Sequence, residues 1–292
     1  MNTNNSLNFF AHLRERLKDR FDYWENDIRD EDVMDFSTYD LADTIQGQQS
    51  FKLYRYAPAT YYNIRNIEKQ QIHLSKNGVF NDLYEGLPCD ISGQISSSDI
   101  MELGDLAYIT CMTESNTNIL MWSHYADSNR GLCVEYDLKQ LKNPSFEITK
   151  HLFPIIYSGE RLLFRNLSSI VESHTQLKYD ISQDAVYSGE ELLDDILPLF
   201  LSKGMCWGYE QEWRIVYTLK QMYDINDPTL YNGTIPLPCI SGIYLGYRID
   251  PEVRENIIEI CQRLTKKTDR KILVHQAKLS EHGYDISFEP IT

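Results

Sequence analysis

Short segments rich in β-branched and aromatic residues recur along this chain, and helical patterns do not alternate with them in any regular way. FKLYRY (51–56), LAYITCMTE (106–114), RGLCVEYDL (130–138), FPIIYSGE (153–160), EWRIVYTL (212–219), ISGIYLGY (240–247), KILVHQAKL (271–279) and YDISFEP (284–290) all read as strands. IHLS (72–75) reads as a further strand, followed by the turn-rich KNGVFND. Helical spacing is confined to a few places. ATYYNIRNIEKQQ (59–71) is one, residues 190–203 are another, and DPEVRENIIEICQRLTKK (250–267) is a third, with Pro251 in its first turn. In SNTNILMWSHYAD, Ser115 or Asn116 is placed to cap a short helix whose polar face carries Ser123 and His124. Strands that outnumber helices without βαβ alternation predict an α+β fold: mixed, mostly antiparallel central sheets with flanking helices.

Ahead of this pattern, Leu7, Phe10, Leu13, Leu17, Phe21 and Trp24 follow three- and four-residue spacing, which predicts an amphipathic N-terminal helix over 7–27. An acidic connection follows. The chain therefore divides into a helical extension, residues 1–48, and one α+β domain with the character of a catalytic domain, residues 49–292.

With 28 Lys and Arg against 43 Asp and Glu, a formal charge of −15, the chain is poorly suited to extended duplex nucleic acid or an anionic membrane surface. The six cysteines are scattered, with no Cys-x-x-Cys pair and no zinc-finger spacing to His, and most of them read as small buried side chains in a reducing compartment. The N-terminus lacks a continuous apolar signal core, and no apolar run reaches the length of a membrane span, so a soluble, cytoplasmic protein is expected. Phosphate-loop, dinucleotide-fingerprint, His-Glu-x-x-His and Gly-x-Ser-x-Gly motifs are all missing.

Four unusual clusters are left: LYRY with Arg55, NGVFNDLYE with Asn81 and Asp82, MWSHYADSNRGLCVEYD, and WGYEQEWRIVY (207–217). Read as one strand, the last places Glu210, Glu212 and Arg214 on a common face and Trp213 on the other. Taken in order, LYRY, FND, MWSHYADSNRGLCVEYD and YEQEWRI resemble the bacterial domain-of-unknown-function family numbered 2971, over about residues 51–246. Where that family commonly has Pro-Phe-Glu after FND, this chain has Leu83, Tyr84 and Glu85. The resemblance names no reaction, but it implies that the four clusters form one module.

The chain is also similar, more loosely, to the ADP-ribosyltransferase superfamily, in the order of an Arg on a first strand, a Ser on a second and a Glu-x-Glu pair on a later one. That resemblance implies Arg55 at the pyrophosphate of NAD, Ser75 as a further cofactor contact, and catalysis by Glu212 with Glu210. Glu212 would stabilise an oxocarbenium-like ribose, and Glu210 would orient or deprotonate the acceptor. Tyr54, Tyr56, Tyr84, Trp122 and Tyr125 offer rings for stacking, Ser123 and Arg214 complete the candidate cofactor contacts, and His124 is a candidate general base. The superfamily resemblance further implies an NAD-consuming transferase or glycohydrolase, of the kind that serves as a toxin or phage-defence effector, acting on a small-molecule nucleotide with the acceptor left open.

Two other readings fit the same residues. His124, Glu135, Asp137, Glu210 and Glu212 could hold magnesium or manganese in a hydrolase or nuclease, although no metal ligand set is assigned here. The clusters could equally line a non-catalytic nucleotide-sensing or interaction domain. Each residue also has a plain structural role open to it: Glu210 and Glu212 as a strand ion pair with Arg214, Trp213 as core, His124 as a helix cap, Asp82 as an Asx turn.

Overall fold

Most of the segments patterned as strands are strands, and they build one large sheet. The computed structural model describes residues 12–13, 15–17, 39–76, 81–84, 89–90, 107–141, 147–161, 163–164, 197–218, 221 and 233–291. In chain order these give α1 (Ala42–Gly47), β1 (Lys52–Ala57), α2 (Tyr61–Glu68), β2 (Gln71–His73), β3 (Ser75–Lys76), β4 (Cys89–Asp90), β5 (Ala107–Thr113), α3 (Ile119–Tyr125) and β6 (Leu132–Asp137). They continue with β7 (Leu152–Pro154), β8 (Ile156–Ser158), β9 (Leu163–Phe164), β10 (Ser202–Gly204), β11 (Glu212–Thr218), β12 (Thr234–Pro236), β13 (Ile240–Leu245), α4 (Pro251–Thr268), β14 (Leu273–Leu279) and β15 (Ile286–Pro290).

The nine-stranded sheet runs β15-β14-β13-β6-β1-β5-β11-β7, with β3 also paired to β5. Only β13 and β14 pair in parallel within it, joined through α4; every other pairing in this sheet is antiparallel. The fold is thus mixed α+β with a mostly antiparallel central sheet. Helix α4 is capped by Asp250, whose Oδ1 accepts from the Glu252 and Val253 amides, and it turns Ile257, Ile260, Cys261 and Leu264 inward at helical spacing.

A large hydrophobic core takes side chains from most of the strands and from α4, and it also includes Leu13, Leu17, Leu41 and Ile45. Of the helix expected over 7–27, residues 12, 13 and 15–17 are described and are helical; the others lie outside the described residues. A smaller cluster gathers Trp122, Met121 and Ala126 of the α3 region against Tyr56, Cys133 and Ala277.

Several boundaries differ from the sequence reading. The cap of α3 is Asn118, whose Oδ1 accepts from the Leu120 and Met121 amides; Ser115 instead bonds Thr117 one turn earlier. IHLS divides at Leu74, whose amide donates to Gly233 of another segment, so β2 and β3 join different sheets. FPIIYSGE divides likewise, β7 pairing with β11 and β8 with β10. The helix expected over 190–203 is present at 197–200, ends at Leu201 and gives way to β10, because Ser202–Gly204 pair with Ile156–Ser158; residues 190–196 lie outside the described residues. WGYEQEWRIVY is a 3-10 helix over Met205–Glu210 followed by β11, separated by Gln211 at φ 45°, a left-handed conformation that no strand sustains.

The RGLC motif is a packing requirement. Asp127, Ser128 and Asn129 all adopt positive φ as the chain leaves α3, and the Gly131 amide closes the turn on Ala126 O at 2.8 Å. A Cβ at Gly131 would lie 2.3 Å from Ala57 O and 2.9 Å from Ala126 O, both backbone atoms. Gly131→Ala is therefore expected to destabilise the fold by about 1–3 kcal/mol, read as a lower urea midpoint.

Candidate active site

A cavity opens where the central sheet comes apart. Strands β1 and β5 meet at a single register pair, Tyr54 and Thr113, whereas β1 stays paired to β6 along its whole length. Further along, the edge of β5 is taken over by β3, which pairs Ser75 with Ile109 and Lys76 with Tyr108. The stretch from Thr110 to Met112, between these two contacts, lines a cavity of about 240 Å³. One side of it carries Lys203, Glu210, Glu212 and Tyr125; Arg55, His73, Ser75 and Asn81 also line it, with Tyr54 and Tyr56.

The acidic side is a buried ion network. Lys203 Nζ lies 2.6 Å from Glu210 Oε2 and 3.0 Å from Glu212 Oε2. Arg214, 0 % exposed, donates from Nε to Glu212 Oε1 at 2.7 Å and from a terminal guanidinium nitrogen to Phe200 O at 2.6 Å. Tyr125 Oη donates to Glu210 Oε1 at 2.5 Å, and Thr113 Oγ1 donates to the Glu210 carbonyl at 2.6 Å. The Glu212 amide donates to the Tyr157 hydroxyl at 2.8 Å.

The two carboxyls titrate in opposite directions. Burial raises that of Glu212, but Arg214 and Lys203 outweigh burial and bring it down to about 2. Glu210 is pushed up, by burial first and by the neighbouring Glu212, against the pull of Lys203. Tyr125 is held protonated by burial and by its bond to Glu210, so it is a donor to that carboxylate across the neutral range. The network thus contains one carboxylate held as an anion and one whose proton affinity is raised.

The residues singled out in the sequence divide accordingly. Glu210, Glu212, Arg55, Tyr56, Ser75 and Tyr125 all line the cavity. Arg214 sits behind Glu212, fully buried. Trp122 is also fully buried, its Nε1 donating to Asn116 O at 2.7 Å and its ring edge-on to Tyr56. Ser123 and His124 are exposed on α3, and His124 Nδ1 is 3.3 Å from Tyr209 Oη. Trp213 is core, with Nε1 on Glu114 Oε1. Asp82 accepts from the Tyr84 amide, an Asx turn. The residues considered as metal ligands are dispersed: Glu135 is held by Ser241, Tyr244 and Lys52, and Asp137 caps the turn after β6. Among the described residues no three His, Cys, Asp or Glu side chains converge on a metal position.

Sequence reasoning passed over Lys203, His73 and Thr110. Lys203 lies on a three-residue strand in a segment patterned as helix, so nothing in its spacing pointed at the glutamates seven and nine positions on. Thr110 looked like ordinary strand composition. Its significance comes from the parting of β1 and β5, which no local pattern encodes.

Residues 121–215 match the family model described as Protein of unknown function (DUF2971), in agreement with the resemblance read from the motifs. No curated protein and no solved structure matches the chain. The matched segment begins within α3 and ends in β11. These elements meet through Tyr125 on Glu210, His124 on Tyr209, and Asn118 Nδ2 on Tyr209 O at 2.7 Å. The WSHYA and YEQEWR motifs are therefore two sides of one contact. Among the described residues no helix is long and apolar enough to cross a membrane.

The titration shifts predict a two-part acid limb. His151, buried against Tyr217 with Nδ1 3.1 Å from Val216 O, is lowered by burial to about 4. Its neutral form contributes stability above about pH 6.5 that is lost as pH falls through about 4. Glu212 contributes stability above about pH 4.5 that is lost as pH falls through about 2, while Glu210, being raised, has the opposite sign. Urea unfolding of Glu212→Gln is expected to lose the lower step and keep the upper one. Arg214→Met, which leaves Glu212 with Lys203 as its one cation among the described residues, is expected to cost about 3–5 kcal/mol at pH 7.

Proposed function

We propose, since the family over residues 121–215 names no reaction, that the cavity binds the nicotinamide riboside end of NAD and breaks its N-glycosidic bond, as a glycohydrolase or ADP-ribosyltransferase. The observation that carries this reading is one cavity lined by a buried carboxyl of raised proton affinity, Glu210, and by a guanidinium, Arg55, with tyrosine rings beside them. A volume of about 240 Å³ is below the roughly 300–1,000 Å³ of cavities that enclose drug-sized ligands, so it suits one nucleoside portion of a dinucleotide. The phosphate attached to that nucleoside would meet Arg55 in the cavity, and the remainder of the dinucleotide would lie outside it.

In this mechanism the C1′–N bond breaks with its electron pair leaving on nicotinamide, and the ribose passes through an oxocarbenium-like state. Glu210 faces that charge and takes the proton of the attacking water or acceptor hydroxyl as the new C1′–O bond forms. Its raised proton affinity suits the second task, and Tyr125 and Lys203 keep the carboxylate oriented. Glu212 exchanges the role that the superfamily resemblance implied for it. Held as an anion by two cations, Arg214 and Lys203, where Glu210 has among the described residues only Lys203, it acts as a positioning residue. Arg55 would pair with a phosphate through its planar fork of donors.

The test is incubation of the parent and of Glu210→Gln with NAD, with nicotinamide release followed by chromatography in the presence and absence of lysate. Release by the parent that falls at least about a hundredfold in kcat in the variant is the expected result. Tight NAD binding without release would favour a sensor, and neither release nor an NAD-dependent thermal shift would overturn the proposal.

A further inference from the structure

One buried polar atom in the cavity is left unbonded. Thr110 is 3 % exposed, lines the cavity, and its Oγ1 has no hydrogen-bond partner among the described residues. A hydroxyl withdrawn from water without a partner is a standing cost to the fold, and native proteins keep few of them. Thr110 sits in the middle of β5, on the stretch where β1 has departed and β3 has not yet joined, opposite Ile215 of β11.

The cation beside it is also uncommitted. Arg55 lines the same cavity, half-buried, and no hydrogen bond or ion pair ties it to a described residue. In the register of the sheet Arg55 alternates away from Tyr54, and Thr110 away from Thr113, the one pair that joins β1 to β5. Arg55 and Thr110 therefore point to the same side of the parted strands, opposite to the side that carries Glu212. His73 also lines the cavity, and burial first and then the nearby Arg55 disfavour its charged form. Among the described residues the other lysine or arginine lining the cavity, Lys203, is engaged with the two glutamates.

We infer that Arg55 and Thr110 form a receptor for an oxyanion on the bound molecule, the guanidinium pairing with two of its oxygens and the Thr110 hydroxyl donating to one. This rests on the ribosyl reading for the identity of the ligand, whose oxyanion would then be a ribose phosphate. The receptor itself follows from an unbonded hydroxyl and an unpaired guanidinium on one wall. It makes Thr110 a ligand-contact residue and predicts that the cavity discriminates phosphorylated from unphosphorylated ribosides.

The experiment uses the full chain in a phosphate-free buffer, with inorganic phosphate, ribose 5-phosphate and ribose as probes in calorimetry and thermal-shift measurements. The parent is expected to bind both phosphates and not ribose. Arg55→Met and Thr110→Val should each weaken phosphate binding at least about tenfold, because each loses a bond to a charged group. Thr110→Val should at the same time raise the Tm of the free protein by about 2–4 °C, since it removes an unbonded polar atom from a buried position. A merely structural threonine would move the Tm the other way. Failure of the parent to bind phosphate, unchanged affinity in Thr110→Val, or a fall in its Tm would each overturn the inference. Phosphate binding without nicotinamide release would leave the receptor standing and remove the glycosidic reading.

Discussion

Two carboxylates are buried beside the central sheet only because two cations are buried with them. Desolvating a charge costs several kcal/mol, and mutual attraction offsets that cost only when the geometry satisfies most of the donors and acceptors. Lys203 and Arg214 do this between them, and the rest of the site is arranged around the result. Strand β10 has to bring Lys203 to the start of β11. The segment ending at Phe200 has to present its carbonyl to Arg214, and the left-handed turn at Gln211 has to set Glu210 off from Glu212 so that both reach one ammonium. Such a network adds little net stability compared with an apolar core, but it imposes a single arrangement, because any other would strand a charge.

The asymmetry of that network decides its chemistry. Glu212 has a strong partner for each oxygen and is fixed as an anion. Glu210 is raised first by burial and then by Glu212 as a like charge, and the shared Lys203 and the Tyr125 hydroxyl offset that rise only in part. Carboxyls whose environments drive them apart are a recurrent way to obtain an acid–base group next to a permanent charge at one pH.

The cavity depends on a different constraint, the incomplete pairing of β1 with β5. A continuous sheet would have closed the space with ladder hydrogen bonds. Instead β1 follows β6, β5 follows β11, and β3 fills in at the far end. Side chains of both sheet faces can then line one space, so Arg55 and Thr110 share it with Glu210 although strand alternation sets Arg55 and Tyr54 on opposite faces. The WSHYA helix closes one side through Tyr125, and its own position is fixed by Asn118, which caps the helix and bonds the Tyr209 carbonyl.

The strand pattern in the sequence was enough for the α+β class, and the motif order was enough to bring LYRY, WSHYA and YEQEWR toward one place. Period-two burial and cap chemistry are local, so β1, β5, β6, β11, β13 to β15 and α4 were legible, with Asp250 and Pro251 marking the start of α4. Local pattern misplaced what pairing partners decide. Ser202–Gly204 became a strand because Ile156–Ser158 was available beside it, and residues 207–217 broke at Gln211 because the backbone had to turn there. Lys203 between the glutamates, Arg214 sealed behind them, and Thr110 without a partner are products of which strands meet and where they part. Composition and periodicity carry no record of that, because a hydrogen-bond partner or a desolvated charge is a relation between residues distant in sequence, and only the tertiary structure fixes it.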